Sequence, residues 1–220
     1  MYIQTLLLVL NTDKKVTEST EKLRGYIGNK FKDNFFLHQH LDDSKILYNY
    51  PKIQYKIIDG VPSIFGIEEG VDALNDISEQ IEELVLDKTT YKLKGKPIKV
   101  EKKQNFGISE NYIKYQFIVP WVALNQRNYE LYKNASQSHK EKILEKVIVG
   151  NLLSVSKSLD YVVTEEIITK TKFSPLPVYL KGIPVIGFEG EFQTNFLIPD
   201  YFGLGKSVSR GFGTVKRCSL

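Results

Sequence analysis

Residues 52–67 read KIQYKIIDGVPSIFGI, which is two apolar runs joined by Asp59-Gly60. An Asp-Gly pair between alternating apolar segments is a strong signal for a two-residue β-hairpin turn. The sequence therefore predicts strands over 52–58 and 61–67. The periodicity of the segments on either side of this hairpin then indicates the fold.

The neighbouring segments complete a β-α-β-β-α-β order. Residues 2–10 are apolar enough for a buried strand, and residues 17–31 carry apolar side chains at helical spacing, with Thr17 as a candidate N-cap. After the hairpin, residues 71–85 return to helical spacing and residues 91–103 are again extended. This order is typical of the ferredoxin-like fold.

A similar order follows in the second half of the chain. The predicted elements are a strand over 112–122, a helical region over about 127–159, extended segments over 165–172 and 177–193 with a turn at Lys181-Gly182, and a last strand over 214–217. The inward face of the helical region is expected to carry Ile143, Val147, Leu152 and Val155. A second helix is hard to find in this half.

These patterns predict an α+β protein of two tandem ferredoxin-like domains with antiparallel sheets. Polar residues and a glycine interrupt both periodicities near 104–107. We therefore expect an N-terminal domain over 1–104 and a C-terminal domain over 105–220.

Charge is distributed unevenly along the 220 residues, whose formal net charge is +4. Residues 201–220 hold four cations and no acid, and residues 88–103 hold seven lysines and one glutamate. Clustered cations of this kind are expected where a polyanion binds. For residues 88–103 the alternative is a lysine-rich strand edge that prevents sheets from aggregating.

Several classes of protein are disfavoured. The single cysteine, Cys218, excludes an intramolecular disulfide and a cysteine-ligated zinc site. Residues 2–10 are too short and lack the basic start of a signal peptide, and no segment has the apolar length of a membrane span. We expect a cytoplasmic protein. Asp42-Asp43 has no further ligand cluster around it, so neither a metal nor another cofactor is expected.

Residues 203–213 read GLGKSVSRGFG, two Gly-apolar-Gly units that flank two cations and two hydroxyls. Glycines permit positive φ and close approach of a ligand, and successive amides can form an anion-binding concavity. We expect this glycine loop to bind phosphate, and a glycine-rich hairpin without a ligand is the alternative. Its candidate binding residues are Gly203, Gly205, Lys206, Ser207, Ser209, Arg210, Gly211 and Gly213.

Spacing excludes two familiar nucleotide loops. A Walker A loop needs glycine five residues before Gly205-Lys206-Ser207, where Asp200 stands. A dinucleotide fingerprint needs glycine at Val208 or at Lys216, depending on where it starts.

Tandem ferredoxin-like domains that end in this glycine loop resemble the RAMP superfamily of RNA-binding proteins, whose domains are RRM-like. Within it, the chain is similar to the CRISPR-associated repeat endoribonucleases, with residues 51–67 as a second point of likeness. The resemblance implies metal-independent cleavage of CRISPR precursor RNA within its repeats, which leaves a 2′,3′-cyclic phosphate and a 5′-hydroxyl. It also implies a catalytic histidine shortly after the first helix.

His38 and His40 occupy that position. Attack by a 2′-hydroxyl needs a base for the nucleophile and an acid for the leaving 5′-oxygen, and a side chain with a pKa near 6.5 suits both tasks. Which histidine is the base stays open. The third histidine, His139, lies in a polar part of the long helical region and is expected to be exposed.

Groups that stabilise the transition state are expected near these histidines. Lys52 and Tyr48 are the candidates by proximity, and Lys45, Tyr50 and Tyr55 are further possibilities. The tyrosines could equally be core or base-stacking residues.

Two other functions stay open. The first is a non-catalytic RAMP subunit that binds crRNA in a CRISPR effector complex, and a remoter one is a nucleotide-binding regulator with a ferredoxin-like fold. The expected partners are precursor and mature repeat RNA and, in an effector complex, other CRISPR subunits, with no membrane. Monomer and homodimer are both compatible with the sequence.

Overall fold

The computed structural model describes residues 1–38, 50–180 and 182–218, apart from the side chain of His38. It divides into two compact units, which are described separately. The N-terminal unit comprises Tyr2–Gln104 with Ser209–Gly211. The C-terminal unit comprises Met1, Asn105–Val208 and Phe212–Leu220.

The N-terminal unit is built on a four-stranded sheet of order β3-β4-β1-β7, with a small sheet of order β2-β6-β5. Its elements are β1 (Tyr2–Val9), β2 (Asn11–Thr12), α1 (Thr20–Lys30), α2 (Phe35–His38), β3 (Ile53–Ile58), β4 (Val61–Ile67), α3 (Glu69–Ser78), β5 (Glu83–Leu86), β6 (Thr89–Gly95) and β7 (Ile98–Asn105). With β5 and β6 set aside as an inserted hairpin, the four main strands have the ferredoxin-like order.

The hairpin between β3 and β4 is confirmed. Asp59 and Gly60 have φ of 52° and 81°, as the mirror-image turn of a tight hairpin requires. In the resulting register Tyr55 lies opposite Ile64. Both residues are buried in a core shared with α1 and α3. The turn therefore determines which face of β3 meets the helices.

Two predicted boundaries in this unit are wrong. The helix predicted from Thr17 begins after Ser19, because the carboxylate of Glu18 accepts a hydrogen bond from the Tyr91 hydroxyl and ties the preceding residues to β6. The helix predicted to reach residue 85 ends as α3 at Ser78. The apolar residues beyond it, which continue the helical spacing, belong partly to β5 and pair with β6.

The C-terminal unit has the same spatial order of strands, β11-β8-β10-β9. Its elements are β8 (Gly107–Trp121), α4 (Gln126–Lys133), α5 (Gln137–Ser158), β9 (Thr169–Leu180), β10 (Ile183–Leu197) and β11 (Val215–Arg217). A 3₁₀ turn (Val208–Arg210), whose last two residues belong to the N-terminal unit, lies between β10 and β11 in the chain. Of the elements that the structure describes between β10 and β11, only the 3₁₀ turn is helical. The repeated strand order confirms the α+β class with two ferredoxin-like units.

The predicted helical region of 127–159 is two helices. The chain breaks at 134–136, where Ser136 takes extended backbone angles before α5. Leu152 and Val155 face inward as predicted, but Leu144 and Ile148 are buried where Ile143 and Val147 were expected. The buried face of the first half of α5 therefore lies one residue further along the chain than predicted.

The extended segments that follow α5 are longer and more continuous than predicted. The first strand begins at Thr169 rather than at residue 165, and β9 and β10 then pair from Thr169 opposite Thr194 to Leu180 opposite Ile183. Gly182, with φ of 77°, belongs to the turn that was predicted there.

Aromatic side chains fill the core of the C-terminal unit. Phe117 and Trp121 stack with ring centroids 5.3 Å apart and planes 7° apart, and Phe173, Phe188 and Phe192 pack around them. The indole Nε1 of Trp121 donates to Asn151 of α5 over 3.1 Å. This contact fixes β8 against α5.

The lysine-rich segment 88–103 ends in β7, an edge strand of its sheet. Most residues of β7 are exposed, and Lys99 pairs with Glu101 at 3.1 Å. An exposed edge with lysines is the arrangement that hinders edge-to-edge aggregation. None of the described helices has the length and apolar character to cross a membrane.

Candidate active site and glycine loop

Three of the four predicted catalytic side chains lie outside the described residues. His38 is the last residue of α2, and its side chain, like His40 and Tyr48 as a whole, is not described. Their roles stay predictions. The described part of the site consists of the backbone that leads to His38 and of the residues from Tyr50 onward.

Lys52, the fourth predicted residue, stands just before β3. Its Nζ lies 3.2 Å from a carboxylate oxygen of Glu69, and its side chain is 20% exposed. Hydrogen bonds from the Glu69 backbone amide and from Lys52 lower the pKa of Glu69. The Lys52 carbonyl accepts a hydrogen bond from the Ile67 amide over 2.9 Å, which holds the backbone of Lys52 against the end of β4.

Tyr55 is a core residue whose hydroxyl also contacts the backbone of α2. Its hydroxyl donates to the Leu37 carbonyl over 3.3 Å, and the side chain is 1% exposed. Burial raises the pKa of Tyr55. The hydroxyl therefore makes its hydrogen bond inside the protein, to the residue before His38. Tyr55 is thus a core residue, which is one of the two roles that the sequence left open for the tyrosines.

A buried polar group on β3 was missed by sequence reasoning. Lys56 is 0% exposed, and its Nζ donates to Gln54 Oε1 over 3.1 Å. Gln54 Nε2 donates in turn to the Tyr50 hydroxyl over 2.7 Å. Burial lowers the pKa of Lys56 to about 7. Alternation of polar and apolar residues along β3 is ordinarily read as one solvated face, so the sequence carries no signal for this burial.

Three glycines of the glycine loop have the positive φ that was predicted. Gly205, Gly211 and Gly213 have φ of 87°, 87° and 65°. A Cβ on Gly205 would collide with the Trp121 indole, and one on Gly213 with the Leu204 carbonyl. Close packing of the protein against itself therefore requires glycine at these two positions.

The predicted cradle of successive amides is only partly available for a ligand. The Leu204 amide donates to the Gly213 carbonyl over 2.9 Å, and the Lys206 amide donates to the Val122 carbonyl over 3.0 Å. The Gly213 amide donates to Pro120 over 2.8 Å. With these three amides engaged inside the C-terminal unit, the side chains of the loop become its main candidate ligands for a phosphate.

The polar side chains of the loop have different surroundings. Lys206 is exposed, and Ser207 is half-buried. Ser209 Oγ accepts a hydrogen bond from Arg24 Nη1 over 3.2 Å, and Arg210 Nε lies 3.1 Å from Glu21 Oε1. These two contacts belong to the N-terminal unit. Arg24 was not found by sequence reasoning, because its position on α1 suggests an ordinary exposed helix residue.

The remaining observations concern histidine and metal ligands. His139 is exposed, as predicted, and its Nδ1 lies 2.9 Å from Ser136 Oγ at the start of α5. Across residues 1–38, 50–180 and 182–218 no group of three or more histidine, cysteine or acidic side chains is placed to hold a metal ion.

Comparisons with known proteins give consistent matches. The family model of the Cas6b N-terminal domain matches residues 1–104, and that of the Cas6b C-terminal domain matches residues 107–218. A Methanocaldococcus jannaschii protein described as uncharacterised is 46% identical over 145 residues, which cover 66% of this chain and 98% of that protein.

Two solved structures are similar over almost the whole chain. The first, a crystal structure of Cas6b, is 37% identical with a TM-score of 0.89 and covers 99% of this chain and 100% of the other. The second is described as the CRISPR RNA processing endoribonuclease Cas6b and is 35% identical, with a TM-score of 0.80 and the same coverage.

Proposed function

The chain belongs to the Cas6b family, and from that premise we propose that this endoribonuclease cleaves CRISPR precursor RNA within its repeats, without a metal ion, by 2′-hydroxyl attack. The observation that carries the proposal is the likeness, over 99% of the chain, to a structure described as a CRISPR RNA processing endoribonuclease. The predicted histidines supply the chemical groups that such a reaction needs.

The proposed reaction is a transesterification. One histidine accepts the proton of a ribose 2′-hydroxyl as that oxygen attacks the adjacent phosphorus. The bond from phosphorus to the 5′-oxygen breaks, and the other histidine donates a proton to that oxygen. The products are a 2′,3′-cyclic phosphate and a 5′-hydroxyl. His40 and His38 are the proposed pair, and each proton transfer contributes about 10²- to 10⁴-fold to the rate.

The contacts of the described residues support placement of this chemistry near α2. The Tyr55 hydroxyl holds the Leu37 carbonyl, so the backbone that enters His38 is anchored to β3. Lys52 stands at the start of that same strand with a paired ammonium. We propose that Lys52 and Tyr48 stabilise the charge that gathers on the phosphate as the new bond forms.

In this proposal the glycine loop binds the RNA backbone. Lys206, Ser207, Ser209 and Arg210 supply cations and hydroxyls suited to phosphate oxygens. Gly203, Gly205, Gly211 and Gly213 give the loop its path and thereby position those side chains. Recognition through the backbone suits RNA, since A-form helices are read mainly by shape and phosphate contacts.

The test is cleavage of repeat RNA in EDTA by wild-type protein and by His38→Ala, His40→Ala and the double variant. We expect the wild type to cut and the double variant to lose at least about 10²-fold in rate. His139→Ala, on an exposed histidine of the C-terminal unit, is the matched control and should cut normally. An inactive wild type, or a double variant as fast as the wild type, would refute the proposal.

A substrate variant isolates the nucleophile. Repeat RNA with a single 2′-deoxy substitution at the scissile position should bind with unchanged affinity and stay intact. Continued cutting of this RNA would refute 2′-hydroxyl attack while leaving the endoribonuclease assignment in place.

A further inference from the structure

A cluster of two guanidinium groups and one carboxylate lies in the N-terminal unit. Arg24 and Glu21 project from α1, one turn apart, and Arg210 belongs to the glycine loop. Arg210 Nε lies 3.1 Å from Glu21 Oε1, and Arg24 Nη1 donates to Ser209 Oγ over 3.2 Å. All four residues are half-buried.

The charges of this cluster are unbalanced. In the described part of the chain, Arg24 has no carboxylate within 4 Å, while Arg210 is paired with one carboxylate, that of Glu21. One positive charge is therefore left over in partly buried surroundings. Burial lowers the pKa of Arg24 and repulsion by the Arg210 guanidinium lowers it further, while the negative charge of Glu21 opposes both effects. A second anion would relieve this cost.

The ion pair between Arg210 and Glu21 is close but poorly oriented. Glu21 Oε1 is buried and finds no hydrogen-bond partner among the described residues, although Nε is near. A well-formed arginine–carboxylate pair makes two aligned hydrogen bonds. Glu21 therefore holds Arg210 mainly by charge, and an anion with better geometry can displace it.

We propose that Arg24, Ser209 and Arg210 bind one phosphate of the RNA backbone, and that Glu21 takes the place of this phosphate when no RNA is bound. The inference rests on the proposed function, because RNA is the anion. It adds Arg24 as a binding residue outside the glycine loop and gives Glu21 an inhibitory effect on RNA affinity. Two planar guanidiniums and a hydroxyl suit the several oxygens of a phosphate.

The proposal predicts effects of opposite sign within the same cluster. Arg24→Ala and Arg210→Ala should each weaken RNA binding about tenfold, since each removes a charge-assisted hydrogen bond to phosphate. Glu21→Gln keeps the shape of the side chain and removes its charge, so it should strengthen binding about threefold. Arg24→Lys should fall between the wild type and Arg24→Ala, because an ammonium lacks the planar fork.

The experiment measures equilibrium binding of repeat RNA with a 2′-deoxy scissile nucleotide over a series of KCl concentrations. The double variant Arg24→Ala/Arg210→Ala should also reduce the slope of log affinity against log salt by about 0.7, the amount for one phosphate contact. Lys30→Ala is the matched control, since six residues further along α1 place it on another face of the helix. Melting temperatures show which variants remain folded.

The outcomes separate this inference from the proposed function. Wild-type protein that neither binds nor cuts repeat RNA refutes the proposed function itself. Wild-type protein that does both, together with a folded Arg24→Ala variant of unchanged affinity or a folded double variant of unchanged slope, refutes the phosphate site alone. If Arg24→Ala does not fold, Glu21→Gln decides: tighter binding supports the site, and unchanged or weaker binding overturns it.

Discussion

Lys56 is a lysine in the interior of β3, with Gln54 as its hydrogen-bond acceptor and the Phe65 ring 5.7 Å from its Nζ. Burial lowers its pKa from 10.5 to about 7 in the folded protein. Between these two pH values the unfolded chain holds a proton that the folded chain lacks. Lys56 therefore makes the free energy of unfolding rise from pH 7 to pH 10, and this stability is lost as the pH falls back towards 7.

Lys56→Met tests this linkage, because methionine keeps much of the volume without the charge. Urea unfolding at pH 7, 8, 9 and 10 should show a rise of up to about 1.4 kcal/mol per pH unit in the wild type that the variant lacks. Lys94→Met, on an exposed lysine of β6, should keep the wild-type slope. Parallel curves for Lys56→Met and the wild type would contradict the assignment.

At the scale of elements, the geometry of the glycine loop predicts how glycine substitutions change the free energy of unfolding. Gly213 has φ of 65°, and a Cβ there would collide with the Leu204 carbonyl. We expect Gly213→Ala to cost at least about 2 kcal/mol in free energy of unfolding, from strain and from this collision. Gly150→Ala in α5 meets open space and should instead add about 0.5–1 kcal/mol.

Urea denaturation of the two glycine variants measures both effects under identical conditions. A Gly213→Ala variant as stable as the wild type would show that the loop shifts without cost. It would also remove the packing explanation for glycine at that position.

The sequence predicted elements well where local chemistry determines them. Asp59-Gly60 defined a hairpin, because two consecutive residues with positive φ leave few alternatives. Helix ends were predicted less well. Apolar residues at helical spacing beyond Ser78 proved to belong partly to a strand, since periodicity over so few residues fits either element and pairing with β6 decides.

The candidate site shows the same division between local and distant determinants. The glycines and cations of the loop were evident from composition and spacing. Arg24 was not, because its role depends on contact with Ser209, 185 residues away in the chain. Lys56 was missed for a similar reason, since burial of a lysine depends on what covers the strand.

At the scale of the whole molecule, three groups of cations are candidates for contact with the RNA backbone. Arg24 and Arg210 form one cationic group, Lys206 forms a second, and the exposed side chains of Lys216 and Arg217 on β11 form a third. Each group is suited to neutralise a phosphate, and neutralised phosphates release counterions. The number of groups therefore sets the salt dependence of RNA binding.

With three phosphate contacts, affinity for repeat RNA should fall about twentyfold between 0.1 and 0.4 M KCl, from a slope of about 0.7 per contact. Fluorescence anisotropy with labelled, uncleavable RNA measures this dependence. A melting temperature that stays constant over the same range provides the control. Affinity that does not change with salt would contradict binding through the backbone.

The collisions that a Cβ would make at Gly205 and Gly213 also have a consequence for the evolution of this sequence. Because both glycines are demanded by the fold, a descendant that had lost RNA cleavage would still be under selection to retain them. In the proposed mechanism His38 and His40 serve cleavage, so selection for that activity would no longer act on them. Among diverged sequences the loop pattern is therefore a marker of shared ancestry and is not by itself evidence of retained cleavage.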